Sequence, residues 1–243
     1  GESGSRTDIS LPECQKKLLK ALTGTGKPVV LVLFSGRPMT LAWENEAMTS
    51  ILQTWFGGSE AADAITDVLF GDVNPSGKLT MSFPFSVGQI PVYYNMKNTG
   101  RDAYSKDYRR YASNWIDCPN EPFYPFGYGL SYTTFTYSKP RLSAASMTQD
   151  GRLTVTVDVT NTGKREGKEI VQLYIGDEKA SVDRPVKELK GFEKLSLQPG
   201  ETKSVSFDIT QADLRFFDEA SHAWKAEPGK FKAYIGASET DIR

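Results

Sequence analysis

Histidine and cysteine are scarce in this sequence, which limits the chemistry its side chains can perform. His222 is the single histidine, and Cys14 and Cys118 are the two cysteines in 243 residues. A Ser-His-Asp triad needs a histidine beside its serine, and the polar neighbours of His222 are typical of a solvated loop. A zinc site needs closely spaced ligands, which three dispersed side chains do not supply. We therefore expect no metal, no cofactor and no disulfide.

An excess of one charge and a long apolar run are also missing. The 29 basic residues are balanced by 30 acidic ones, so no basic field is available for nucleic acid or an anionic membrane. No run approaches the roughly 20 apolar residues that cross a bilayer, and the first residues lack the order of a secretory signal. We expect a neutral or small polar ligand and neither a nucleic acid nor a membrane partner.

Residues 1–85 carry the alternating helix and strand signals of an α/β domain. Ser10 and Glu13 have the spacing of a capping box, which predicts a helix start. The apolar face of this helix is expected to contain Leu11, Cys14, Leu18 and Leu22. The unbroken apolar run Pro28–Ser35 then indicates a strand buried on both faces, as in a parallel sheet.

A second strand and helix follow this run. Residues 50–56 predict the strand, the glycine pair 57–58 the turn, and Ser59 the N-cap of a helix that ends at Gly71. Residues 78–84 predict one more short strand. Because a doubly wound sheet usually has five or six strands, we expect the domain to begin in mid-sheet.

The pattern changes to short, half-buried strands from about residue 135. Alternation of apolar and polar residues predicts strands at 153–160, 169–176, 203–209 and 229–236. Such strands, without a Cys…Trp…Cys pattern, favour a fibronectin type III-like β-sandwich. The predicted organisation is a partial α/β sandwich domain with a mostly parallel sheet at 1–88, an aromatic-rich interdomain link at 89–134, and this β-sandwich at 135–243.

The link is rich in tyrosine, tryptophan and phenylalanine, and a connection of this length is usually functional or packed. Most of its rings are expected to pack between the domains. Exposed Tyr and Trp rings also stack on sugars, and Trp115 and Tyr108, in the more polar part of the link, are the candidates for substrate binding.

The ends of the two predicted buried strands are the edge where α/β sheets place ligands. Arg37 follows the first strand, where it either meets substrate or forms an internal ion pair, for which Glu60 is the expected partner. The glycine pair 57–58 follows the second strand. It lacks a nucleotide-binding spacing, so close packing of strand against helix explains it better than anion binding.

Glu2 precedes the first helix in a loop rich in glycine and serine. A glutamate in such a loop is usually only solvated. Glycosidases, however, use carboxylates in pairs, one protonating the leaving oxygen while the other attacks or activates water. No partner carboxylate is evident from the spacing alone.

Long stretches of the chain, in order, resemble the C-terminal half of glycoside hydrolase family 3, specifically the bacterial periplasmic β-glucosidases. The stretches that carry the resemblance are ESGSRTDISLPECQKKLLKAL, GKPVVLVLFSGRPMTL, TWFGGSEAADAITDVLFGDVNPSGKLTMSFP, FYPFGYGLSYTTF, VTNTGKREGKEIVQLYI and RPVKELKGFEKLSLQPGET.

The resemblance implies an enzyme of three parts, which are an N-terminal TIM-like barrel, an α/β sandwich and a fibronectin type III-like domain. The barrel of the family carries the nucleophilic aspartate and is expected to be a partner of this chain. The acid/base glutamate of the family lies on a loop shortly before a segment resembling SRTDISLP, which places that role on Glu2. Periplasmic or secreted localisation is also implied.

The implied function is that of a retaining β-glucosidase acting on terminal β-linked glucosyl residues of oligosaccharides. The chain is then expected to be inactive without the barrel and to self-associate through its truncated sheet. The alternative is a non-catalytic scaffold module that binds carbohydrate or protein.

Overall fold

The computed structural model describes residues 3–101 and 110–243 of the chain. The described residues group into two compact units. The α/β unit contains the chain up to Val73, together with Met81–Tyr93 and Trp115–Tyr124. The β-sandwich unit contains Asn74–Thr80, the described part of 94–114, and Pro125–Arg243. The domain boundaries at residues 88 and 134 stay predictions.

The α/β unit is built around two parallel strands. Its elements are α1 (Glu13–Thr23), β1 (Val30–Leu33), α2 (Ala42–Ala47), β2 (Ser50–Gln53) and α3 (Ala61–Phe70), followed by a 3-10 turn at Val87–Gln89. The strands pair in register from Val30 opposite Ser50 to Leu33 opposite Gln53. The parallel arrangement predicted from the apolar run Pro28–Ser35 is confirmed. Of β1, however, only Leu33 is fully buried, so burial on both faces is not observed in this chain.

The capping box predicted at the start of α1 is wrong. Pro12 is the N-cap, and the helix begins at Glu13 without a side-chain cap. The backbone N–H of Ser10 instead donates to Asp8 Oδ1 at 2.8 Å, and the hydroxyl of Ser10 donates to the carbonyl of Leu11 at 3.4 Å. The carbonyl of Pro12 accepts from the N–H groups of Gln15 and Lys16, so the backbone supplies the first helical turn.

Three further predictions in this region change. The predicted apolar face of α1 is only partly buried, because Leu18 is 59% and Leu22 42% exposed. The N-cap of α3 is Glu60, not Ser59, and no side chain caps it, whereas Gly71 ends the helix with a left-handed φ of 84°, as predicted. No strand forms at 78–84. That segment divides between the two units after Thr80, and its ladder pairing is one isolated bridge between Phe83 and Tyr124.

The β-sandwich unit contains two antiparallel sheets. Its elements are β3 (Phe135–Tyr137), β4 (Arg141–Leu142), β5 (Leu153–Asn161), β6 (Gly167–Asp177), β7 (Glu188–Leu197), β8 (Thr202–Ile209), α4 (Gln211–Leu214), β9 (Phe216–Asp218), β10 (Ala223–Lys225) and β11 (Phe231–Gly236). One sheet has the order β11-β6-β7, and in the other β5 pairs with β3, β4 and β8. Strands β9 and β10 form a separate hairpin. The four predicted strands are confirmed, and β7 is the long strand that they did not include.

The core of this unit lies between the two sheets. Alternate residues of β5, Val155, Val157 and Val159, are at most 1% exposed. They pack against buried residues of β6, β7, β8 and β11, namely Val171, Leu173, Ile175, Leu197, Val205, Ile209 and Ile235. The period-2 alternation of β5 therefore marks its buried face, as its sequence predicted.

A buried polar cluster also stabilises the sandwich. Lys78 Nζ lies 3.2 Å from Glu169 Oε1, and the two side chains are only 12% and 5% exposed. The hydroxyl of Tyr137 donates to the same carboxylate at 2.9 Å. The cluster fixes the segment containing Lys78 to strand β6.

Within the described part of the chain, no helix has the length and hydrophobicity that a membrane span requires.

Candidate active site

The segment that follows Glu2 is held against the carboxyl end of β1. Arg37 Nη1 donates to the backbone carbonyl of Arg6 at 3.3 Å, and Arg37 Nη2 donates to Ser5 Oγ at 3.5 Å. Both acceptors lie in the loop that the sequence singled out. One guanidinium therefore restrains this loop through its backbone and through a serine side chain.

The position of Arg37 is itself set by the end of the parallel pair. Ser35 Oγ donates to the carbonyl of Arg37 at 2.9 Å, and Gln53 Nε2 donates to Ser35 Oγ at 3.1 Å. Parallel strands present their carboxyl ends at one edge, so the last residue of β2 reaches the turn that follows β1. The chain from Gln53 through Ser35 to Arg37 connects the sheet to the loop.

A second contact fixes the loop where it enters α1. The N–H of Thr40 donates to the carbonyl of Ile9 at 3.1 Å, and Ile9 and Leu11 are 9% and 6% exposed. Between the two contacts, the hydrogen bond from the N–H of Ser10 lowers the pKa of Asp8 below its ordinary value. The hydrogen bond therefore favours the ionised form of Asp8, which accepts it within the local turn.

Two of the three glycines at this edge have close neighbours. A Cβ on Gly36 would lie 2.6 Å from the ring of Phe56, and a Cβ on Gly57 would lie 2.3 Å from Cβ of Ala61 in α3. The packing explanation of the glycine pair is confirmed at Gly57. Gly58, in contrast, has nothing within 4 Å of its added Cβ.

The predicted site residues are only partly described by the structure. Glu2 and Tyr108 lie outside the described residues. Trp115 is 45% exposed, and its backbone N–H donates to Asn120 Oδ1 at 3.2 Å. The predicted ion pair between Arg37 and Glu60 is wrong, because the guanidinium bonds to the N-terminal loop.

The contacts of Gln53, Ser35 and Thr40 were missed at the level of sequence. Gln53 and Ser35 are polar residues close to strand ends, and this position is the one sequence signal that pointed to them. Their partners include backbone carbonyls, which leave no residue pattern to find. Among residues 3–101 and 110–243, no group of three or more His, Cys, Asp or Glu side chains is arranged to hold a metal ion.

Family models match both parts of the chain. The model described as the glycosyl hydrolase family 3 C-terminal domain matches residues 1–132. The model of the fibronectin type III-like domain matches residues 169–239. Together they cover the α/β part and the section of the β-sandwich from β6 to β11.

Curated relatives are similar to the chain over its whole length. A periplasmic β-glucosidase of Salmonella typhimurium is 53% identical over 242 residues, which is 100% of this chain and 32% of that protein. A β-xylosidase of Formosa agariphila is 47% identical over 98% of this chain and 32% of its own length. The chain thus spans about a third of the length of these relatives.

Solved structures agree with the sequence comparison. The crystal structure of a β-glucosidase from Listeria innocua in complex with glucose superposes with a TM-score of 0.91 and 44% identity. The superposition covers 100% of this chain and 34% of that one. The α/β unit and the β-sandwich unit therefore both have counterparts in a solved relative.

Proposed function

Because this chain belongs to glycoside hydrolase family 3 and corresponds to the C-terminal part of its β-glucosidases, we propose that it completes a retaining β-glucosidase. The proposed reaction is hydrolysis of terminal, non-reducing β-linked glucosyl residues of oligosaccharides. The observation that carries the proposal is the match along the whole chain, at 53% identity to the Salmonella relative. The activity belongs to a protein about three times as long.

Glu2 is the proposed general acid/base. It precedes Arg6 by four residues, and the carbonyls of Arg6 and Ile9 accept hydrogen bonds from Arg37 and Thr40. These two contacts hold the described part of the loop, Ser5 to Ile9, that follows Glu2, and they support the assignment because an acid/base group must be positioned against its substrate. Glu2 first protonates the leaving oxygen and then deprotonates the water that releases the sugar.

The nucleophile in this proposal is an aspartate of an N-terminal TIM-like barrel. A retaining mechanism needs the two carboxyl groups roughly 5 Å apart, so the barrel must pack close to the loop that contains Glu2. We accordingly expect the 243-residue chain to be inactive by itself.

Trp115 and Tyr108 are the proposed contacts to sugar. The exposure of Trp115, at 45%, leaves ring surface available for stacking on the apolar face of a pyranose. Glucose is proposed over xylose because the Salmonella and Listeria relatives are both named β-glucosidases. The name of the Salmonella relative also supports a periplasmic or secreted location.

Self-association through the small sheet is proposed for the chain by itself. Among the described residues, β1 pairs only with β2. Val30 in β1 and Phe34, directly after it, are 46% and 60% exposed. An unpaired edge with apolar side chains favours pairing with a second copy. A monomeric mass by light scattering across a concentration series would contradict this part of the proposal.

A chimera tests the proposed function directly. The chain replaces the corresponding C-terminal third of the Salmonella β-glucosidase, and turnover of an aryl β-glucoside is measured for the chimera and for the chain alone. We expect turnover with net retention from the chimera and none from the chain. A folded chimera without turnover would favour the alternative, a non-catalytic module that binds carbohydrate or protein.

A further inference from the structure

A small cavity lies between α1 and α2, within the α/β unit. Its volume is about 340 Å³, and the helices line it with Lys16, Lys20, Trp43 and Glu44. Ser10, Thr40 and Phe85 also line it. Small-molecule sites begin at about 300 Å³, so this cavity has the size for a ligand with a single ring.

Glu44 is the unusual member of this wall. It is only 3% exposed, and its Oε1 has no hydrogen-bond partner in the described part of the chain. Buried carboxylates are normally paired or hydrogen-bonded, because losing water without a replacement is costly. The terminal torsion of a glutamate is broad, so rotation can direct either oxygen towards a donor in the cavity.

The lysines of the wall do not supply that donor. Neither Lys16 nor Lys20 forms an ion pair with another described residue. Lys20 Nζ lies instead 5.6 Å from the centroid of the Trp43 ring, a cation–π arrangement. The cavity therefore presents an acceptor at Glu44, donors at two ammonium groups, and the apolar surface of Trp43 and Phe85.

A ligand in this cavity must match the buried carboxylate of Glu44 as well as two ammonium groups. A cation meets two lysines, and an anion placed beside Glu44 meets a like charge that is shielded from water. A pyranose is neutral, its hydroxyl groups both donate and accept, and its C–H faces pack against aromatic rings. The hydroxyl groups of Ser10 and Thr40 add further partners of the same kind. A zwitterionic amino acid would use the two charges but leave these hydroxyl groups without a match.

We propose that this cavity binds one neutral pyranose unit, with Glu44 accepting hydrogen bonds from sugar hydroxyls and Trp43 packing against the ring. The site needs only the α/β unit of this chain. Its occupancy does not depend on the catalytic role proposed for Glu2, so binding and turnover test the two proposals separately.

The test is a titration of the 243-residue chain with methyl β-glucopyranoside, followed by NMR shifts of the tryptophan indole N–H signals. We expect a saturable shift of the Trp43 signal. Glu44→Gln exchanges a charged acceptor for a neutral one and is expected to weaken binding about tenfold. Trp43→Ala removes the reporting signal itself, so its binding is measured by calorimetry with the same glucoside, where we expect no saturable heat. Glu46→Gln, an exposed position of the same helix, and Trp224→Ala are the controls and should leave binding unchanged.

Folding of each variant is checked by its thermal unfolding midpoint. Lys20 is exposed on α1, so Lys20→Gln tests the cavity even if a buried substitution unfolds the chain. This variant too should weaken binding of the glucoside. The proposal is overturned if the wild-type chain shows no saturable binding, or if Glu44→Gln and Lys20→Gln bind as tightly as wild type. Saturation by glycine but not by the glucoside would also overturn it, since the ligand would then be a zwitterion.

Discussion

Arg37 offers the sharpest test of how the loop is positioned. In the chimera, Arg37→Ala removes the two hydrogen bonds to the carbonyl of Arg6 and to Ser5, which measure 3.3 and 3.5 Å. Both are at or beyond the long end of the usual range, so we assign them about 1 to 2 kcal/mol together. If this energy is used to place the acid/base, kcat/KM should fall by about five- to thirtyfold.

The assay compares two β-glucosides that differ in their leaving group. A poor leaving group, such as a second glucose, needs protonation in the transition state, whereas a dinitrophenolate does not. Arg37→Ala should therefore reduce kcat for cellobiose and leave the first step with the dinitrophenyl glucoside nearly unchanged. Arg6→Ala is the matched control, since only the backbone carbonyl of Arg6 takes part. Equal losses on both substrates, or no loss at all, would refute the positioning role.

Three further predictions concern the β-sandwich. Glu169→Leu leaves the ammonium of Lys78 buried without its ion-pair partner. It should lower the free energy of unfolding, measured in urea, by about 3 kcal/mol or more, and adding Lys78→Met should restore much of that loss. Burial, and then the charge of Glu169, raises the pKa of Tyr137, so stability should decline as the pH rises above about 10, and Tyr137→Phe should flatten that decline. The hydrogen bond from Arg141 lowers the pKa of Asp158 to about 2. The resulting stabilisation is complete above pH ~4 and lost towards pH ~2, and Arg141→Gln should reduce this acid dependence of the unfolding midpoint.

The periodicity of apolar residues predicted the strands well, because each strand keeps the same environment along its length. Strand β5 alternates buried and half-buried residues, and the apolar run that contains β1 indicated a parallel sheet. The short helix α2 was missed, since six residues are too few for a helical period to stand out. The segment at 78–84 has strand-like composition, but its residues belong to two different units, and local propensity carries no information about that division.

The candidate site was predictable only in its location. The rule that ligands bind at the carboxyl ends of parallel strands directed attention to Arg37. Its partners were not predictable, because a guanidinium that donates to a backbone carbonyl leaves no pattern of opposite charges. The Ser10 to Glu13 motif failed for a related reason, since Asp8 competes for the backbone N–H of Ser10. Burial of Glu44 likewise depends on tertiary packing that a charged residue in a short helix does not reveal.

The role of Glu2 is the central claim, and its substitution in the chimera is the most direct measurement. Glu2→Gln should lower kcat/KM for cellobiose by 10²- to 10⁴-fold, and added azide should restore turnover of the dinitrophenyl glucoside by forming β-glucosyl azide with retention. Glu13→Gln, in the exposed first turn of α1, should behave as the unmodified chimera. Undiminished hydrolysis of cellobiose by Glu2→Gln, or a loss that follows Glu13→Gln instead, would contradict the assignment.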